Sequence, residues 1–184
     1  MKGLRFAALL IGFASGLALP SLAFAHGASR LKLIESIEIN APAAKVWKVV
    51  GNFADMGWLP SVVKTTATGG NNPDAAKREL ILKSGAKIDE TLYKYDPDSM
   101  SYSYFMVKVD VKVLPVTNYS STLVVIPEGN KSKVEWRAAF FRGDPLFDPP
   151  PALNDDAATK AVTALYVSGL AALKQKIEAG EATN

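Results

Sequence analysis

Side chains able to move a proton or hold an ion are few and thinly spread in this chain. It has one histidine, His26, and no cysteine. Ser–His–Asp catalysis, multi-histidine zinc, haem with a histidine ligand in the body of the chain, and thiol chemistry are therefore excluded. As a mature N-terminus, His26 can offer its amine and imidazole to copper, but such sites normally recruit a further histidine and the chain has none. A solvated terminus explains it more simply. Acid–base work is left to carboxylates and tyrosines. Glu90 stands out because it shares strand parity with Ala86, Ile88 and Leu92, the apolar side of its segment. Desolvation on such a face raises a carboxyl pKa and fits it for general acid or base duty. The simpler reading is a rim glutamate, or one satisfied by a neighbouring donor such as Tyr104. Glu90 and Tyr104 are thus the only catalytic candidates.

Aromatic residues form the second constellation. Tyr104, Tyr119 and Trp136 fall on the apolar parity of their segments, and with Trp58 and Tyr102 they can line a pocket with a few polar handles. They can also simply fill a core. Asp144, Asp148, Asp155 and Asp156 lack the ligand alternation and glycine of a calcium loop, so no metal and no cofactor is expected. Gly69-Gly70 precedes a turn, not a helix, which makes it a poor phosphate cradle.

Charge adds little. The formal net charge is +3, and Lys2 and Arg5 belong to a segment that reads as a secretory signal. Phe6 to Leu19 is nearly all apolar and Ala23-Phe24-Ala25 is a small-x-small cleavage site. The run is short for a membrane span, so export and cleavage after Ala25 are expected, with no span in the mature form. Residues 26–184 then make a single domain with its own core. Without Lys2 and Arg5 the charge is +1, and the aromatics are not interleaved with a basic patch, so nucleic acid is not an expected partner.

Hydrophobic periodicity predicts the elements that position these residues. Leu31 to Asn40 alternates as a strand, Asn40-Ala41-Pro42 stops it, and Val46, Val49, Val50 and Phe53 follow at helical spacing. A second helical turn precedes Trp58-Leu59-Pro60. Strands are then expected over Val62–Thr68, Lys77–Lys83, Lys87–Tyr95, Ser101–Val113, Tyr119–Ile126 and Lys131–Phe141, separated by glycine, proline and asparagine turns. Pro149 to Pro151 reads as a stiff extended connector. Beyond it Asn154, Asp155 and Asp156 can cap a helix carrying Val162, Leu165, Tyr166, Gly169, Leu173 and Ile177 on one face, ending at Gly180.

This order, with Asn40-Ala41-Pro42, Val46-Trp47, Phe53, Trp58-x-Pro60, Glu90, Tyr104, Tyr119 and Trp136, resembles the START-like (SRPBCC) superfamily of polyketide cyclase/dehydrase-like and Bet v 1-like proteins. The resemblance covers Leu31 to Ile177. It implies an α+β helix-grip fold: a seven-stranded antiparallel sheet curved around the C-terminal helix, with two short helices after the first strand. It also implies that the Glu90 face points into a cavity under that helix, so Trp58, Glu90, Tyr104, Tyr119, Trp136, Leu165 and Gly169 become ligand-binding candidates for a small apolar molecule. Ala25-His26-Gly27, Gly51 to Pro60 and Val111 to Leu123 further resemble the MxaD family of periplasmic accessory proteins of methanol oxidation. That resemblance implies contact with methanol dehydrogenase or its cytochrome c acceptor.

One irregularity bears on partners. Phe105, Val107, Val109, Val111 and Val113 share the parity opposite Tyr102, Tyr104 and Met106. Either a bulge restores one inward face, or a valine row is left exposed as a docking edge. On the second reading Lys108, Val109, Val111, Lys112 and Val113 are the partner-binding candidates. The residues thus favour an accessory or carrier protein over a cyclase- or dehydratase-type enzyme.

Overall fold

A computed structural model describes residues 27–181; His26 and the segment expected to direct export lie outside the described residues. The elements are β1 (Leu31–Ile39), α1 (Ala43–Val50), β2 (Val62–Thr68), β3 (Lys77–Leu82), β4 (Lys87–Asp96), β5 (Ser101–Lys108), β6 (Val116–Glu128), β7 (Lys131–Arg142) and α2 (Asp155–Glu181). The strands form one antiparallel sheet in the order β1-β7-β6-β5-β4-β3-β2. All links from β2 to β7 join sheet neighbours, while β1 returns to pair with β7 across the whole of its length. The sheet wraps α2, the helix-grip arrangement that the sequence implies.

One apolar core lies between the concave face and the helix. Val134, Trp136, Ala138 and Phe140 point inward from β7, and Val162, Tyr166, Leu170, Leu173 and Ile177 come from α2. Each large apolar side chain buried there contributes roughly 1.5–3 kcal/mol. Asn154 caps α2 as expected, its Oδ1 accepting the Ala157 N–H at 2.9 Å. Asp155 and Asp156 sit in the first turn, where the helix dipole favours negative charge. Trp47 packs α1 onto the sheet against Tyr95 and Tyr102, at 5.8 and 6.2 Å between ring centroids.

Four local expectations are corrected. Only α1 is helical after β1: residues 51–61 form turns, pinned by Asp55 and Asn52 side chains accepting the Gly57 and Ala54 N–H groups. Asx turns of this kind compete with helix. Pro151 opens a 3-10 turn, Pro151–Leu153, so the proline run is extended only in part. The terminal helix continues through Gly180, since a glycine ends a helix only where the chain needs a left-handed turn. β5 stops at Lys108, and Val109 to Pro115 is an irregular turn instead of strand.

The irregular parity of β5 resolves through a bulge. Between the pairs Asp89↔Lys108 and Glu90↔Met106, β5 carries one extra residue, Val107. Tyr102 and Tyr104 are buried and Met106 partly so, while Phe105 and Val107 face outward. Another bulge lies in β6, where Thr117 pairs with Phe141 and Ser120 with Ala139. Asn118, at φ 47°, takes the left-handed turn there, which asparagine tolerates better than most residues. β5 and β6 pair only as far as Phe105↔Ser120. Beyond that point they diverge, and the Val109–Pro115 turn spans the gap.

Candidate ligand-binding site

At this divergence a cavity of about 210 Å3 opens between the sheet, the 51–61 turns and the first half of α2. Leu80 and Leu82 from β3, Ile88 from β4 and Met106 from β5 form its sheet wall. Leu59 closes one side, Leu114 another, and Ala161 and Leu165 come down from α2. Glu90, Tyr104, Tyr119 and Trp136 line it too, so the structure brings together five of the seven sequence-derived candidates, counting Leu165. Trp58 and Gly169 stand behind this wall. Trp58 packs on Trp136 at 5.3 Å between ring centroids. Gly169 lies under both: a Cβ there would stand 2.7 Å from Leu59 Cδ1 and 3.0 Å from the Trp136 ring. Its missing side chain lets α2 sit down on the tryptophan pair.

Glu90 is buried and paired, and its partner is not Tyr104. Arg78 faces it across the β3–β4 hairpin in direct register, with Nε 2.5 Å from Glu90 Oε2. Arg78 Nη1 donates to the Phe53 carbonyl at 2.8 Å, and the guanidinium lies 4.1 Å from the Phe53 ring centroid and 5.0 Å from that of Tyr104. Arg78 Nη2 is buried without a hydrogen-bond partner. Burial pushes the Glu90 carboxyl up from its ordinary range, while the Arg78 charge and hydrogen bond pull it back; the net direction is upward. Burial works against the Arg78 cation, but electrostatic attraction, foremost to Glu90 and then to Tyr102 and Tyr104, outweighs it and raises its pKa. The pair is a neutral unit set into the wall. Arg78 was missed from the sequence. The available signal was its parity with Ala76, Leu80 and Leu82, an arginine on the apolar side opposite an inward glutamate.

A hydroxyl relay runs beside this pair. Trp136 Nε1–H donates to Tyr104 Oη at 3.1 Å and to Ser121 Oγ at 3.0 Å. Ser121 donates to the Arg137 carbonyl at 2.9 Å, so the 2.7 Å contact between Ser121 Oγ and Tyr166 Oη uses the Tyr166 proton. Tyr119 then donates to Tyr166 in a short hydrogen bond. Tyr166 also stacks on Trp136, 4.1 Å between centroids and 8° between planes. Burial raises the pKa of Tyr104, Tyr119 and Tyr166 above that of a free phenol, so all three stay neutral at physiological pH. Among the described residues no group of three or more His, Cys, Asp or Glu is placed to hold a metal. No described helix is long and apolar enough to cross a membrane.

The partner-binding candidates do not form an edge strand. Lys108 ends β5, and Val109, Val111, Lys112 and Val113 lie in the following turn. Val109 packs on the core and Val113 lines the cavity. What the outer sheet face does expose is Tyr93 stacked on Phe105 at 4.2 Å, beside Val107, which is 63% exposed.

Residues 30–178 match the family model for polyketide cyclase/dehydrase and lipid transport proteins. The chain belongs to this family. A solved protein from Bacillus thuringiensis is 30% identical, with TM-score 0.68, the match covering 80% of this chain and 98% of that one. The protein XoxI from Bacillus cereus is also 30% identical, with TM-score 0.69 and coverage of 82% and 97%. The Zhui aromatase/cyclase from Streptomyces sp. R1128 shares the fold at 15% identity, with TM-score 0.64 and coverage of 82% and 94%. Among curated proteins none matches the chain.

Proposed function

We propose that this member of the polyketide cyclase/dehydrase and lipid transport family binds and carries a small, mostly apolar molecule in the cavity beneath α2. The observation that carries this reading is the cavity itself: about 210 Å3 of space inside an otherwise close-packed core, walled by aliphatic side chains with polar groups gathered around Glu90 and Tyr104. Interiors normally leave few voids larger than a water molecule, so a space of this size is kept open at a cost in packing. Turnover is a weaker reading, because Arg78 already neutralises Glu90, the one buried carboxylate among the described residues. Native mass spectrometry of protein purified gently from its natural host should show a co-purifying small molecule. Ala161→Phe, which fills the cavity from α2, should remove it; retention of the same molecule by that variant refutes the assignment to this cavity.

A second reading concerns partners and compartment. After export and cleavage behind Ala25, the protein acts in the periplasm as an accessory of methanol oxidation, touching methanol dehydrogenase or its cytochrome c acceptor. Its support is the sequence resemblance at Gly51 to Pro60 and Val111 to Leu123, together with the exposed Tyr93–Phe105 stack and the exposed Lys108 and Lys112. Deleting the gene should slow methanol-dependent cytochrome c reduction in periplasmic extracts, and adding purified protein should restore it. An unchanged rate removes this reading and leaves the cavity reading untouched.

A further inference from the structure

Resting on the ligand-binding reading, we propose that the ligand of this cavity is an uncharged, monohydroxylated molecule of about one ring, its hydroxyl seated between Glu90 and Tyr104. The polar groups of the wall fix this by what each still has to offer. Glu90 uses Oε2 to accept from Arg78, and a carboxylate has further lone pairs to give. Tyr104 Oη accepts from Trp136 Nε1–H, and its own proton can turn to the neighbouring Tyr119 oxygen or to an acceptor in the cavity. The Tyr119 proton is spent on Tyr166, because Tyr166 must donate to Ser121. Ser61 Oγ, also in the lining, is buried without a partner and can donate or accept. The polar wall therefore presents a carboxylate acceptor, a phenol donor and a free serine hydroxyl.

A hydroxyl answers the first two, donating to Glu90 and accepting from Tyr104. An ether or ketone accepts only and sets its lone pairs against the carboxylate. A ligand carboxylate finds no counter-charge at the neutral Glu90–Arg78 pair and turns its lone pairs toward Glu90. An ammonium group finds no net charge to meet, since Glu90 and Arg78 already neutralise each other, and a buried ion without a counter-charge is strongly disfavoured. Size narrows the class further. An engineered cavity of about 150 Å3 takes up benzene, so about 210 Å3 accommodates a ring with a short alkyl tail, or an aliphatic alcohol of similar bulk.

Three probes separate the possibilities by isothermal titration of the full chain: 4-propylphenol, propylbenzene and 4-propylanisole. The phenol should bind at least tenfold more tightly than propylbenzene. The anisole accepts but cannot donate, and it should lose most of that advantage. In Tyr104→Phe, where Trp136 Nε1–H keeps Ser121 as acceptor, the phenol-to-propylbenzene ratio should fall toward one. Equal affinity for phenol and propylbenzene, or a ratio unmoved by Tyr104→Phe, overturns the hydroxyl assignment while the cavity reading stands. Failure of all three probes to bind, or binding unaffected by Ala161→Phe, overturns the cavity reading and this inference with it.

Discussion

Replacing Arg78 by methionine keeps most of the side-chain volume but strands Glu90 in the wall. The Arg78 side chain has no solvent exposure and that of Glu90 only 4%, so water cannot simply take over. The change removes a charge-assisted hydrogen bond of 2.5 Å, leaves the Phe53 carbonyl without the Nη1 donor, and deletes the cation over the Phe53 ring. Breaking one side of a buried ion pair costs about 3–5 kcal/mol. The neighbouring cavity can admit some water to Glu90, which places Arg78→Met at the lower end, about 3 kcal/mol. The double variant Arg78→Met/Glu90→Leu removes both charges together, and such swaps are often neutral; it should recover to within about 1 kcal/mol of the parent, net of imperfect packing. Urea denaturation followed by tryptophan fluorescence at pH 7 measures all three proteins. The pH dependence supplies an independent check. Burial already raises the Glu90 pKa in the folded protein, and losing Arg78 raises it further. A raised folded pKa means the folded state holds the proton more tightly, so stability is fullest at low pH and is lost as pH rises through that pKa. The Arg78→Met deficit should therefore shrink between pH 7 and pH 5. A single variant costing less than about 1 kcal/mol, or a double variant as unstable as the single, refutes the buried-pair reasoning.

Tyr166→Phe removes the middle of the hydroxyl relay and leaves the buried Tyr119 proton without its acceptor; a loss of about 1–3 kcal/mol should appear in the same denaturation assay. Gly169→Ala gains about 1 kcal/mol of helix propensity but drives a methyl to 2.7 Å from Leu59 Cδ1 and 3.0 Å from Trp136. Since Trp136 is already stacked on Tyr166 and overpacking costs about 1–3 kcal/mol, a net loss is expected, seen as a lower thermal midpoint. Alkaline titration monitored at 295 nm tests the buried phenols: burial raises Tyr102, Tyr104, Tyr119 and Tyr166. Their contribution to stability is complete below the unfolded tyrosine pKa of about 10 and is lost as pH climbs above it, so these four should ionise together with unfolding, not singly before it.

Much of the architecture was legible because periodicity and turn chemistry agree along most of this chain. The Lys87–Tyr95 pattern placed Glu90 inward, and Asn154 announced the start of α2. The misses share a physical cause: each depends on a contact distant in sequence or on a local polar side chain that periodicity ignores. Arg78 was passed over because charged side chains usually lie on the solvent face, and only the register of the β3–β4 hairpin reveals that it meets Glu90. The valine run after Phe105 has good strand propensity, yet Val109 to Pro115 leaves the sheet. The Val107 bulge and the left-handed turn at Asn118 draw β5 and β6 apart there. Trp58 and Gly169 pack against Trp136 behind the cavity wall, a depth that a loop position and a helical spacing do not give.

The stacking of Tyr166 on Trp136, together with its bonds to Ser121 and Tyr119, fixes the rotation of α2 about its own axis. Successive residues on a helix are about 100° apart, so locking Tyr166 also settles where its neighbours face. Leu165 and Ala161 are thereby held over the cavity, only partly buried at the margin of the core. The two jobs fall to different residues on adjacent stripes of one element. Selection can therefore reshape the chamber at Leu165 and Ala161, altering what it admits, while Tyr166 and Gly169 keep the helix in place: the fold's anchor and its selectivity are free to evolve separately.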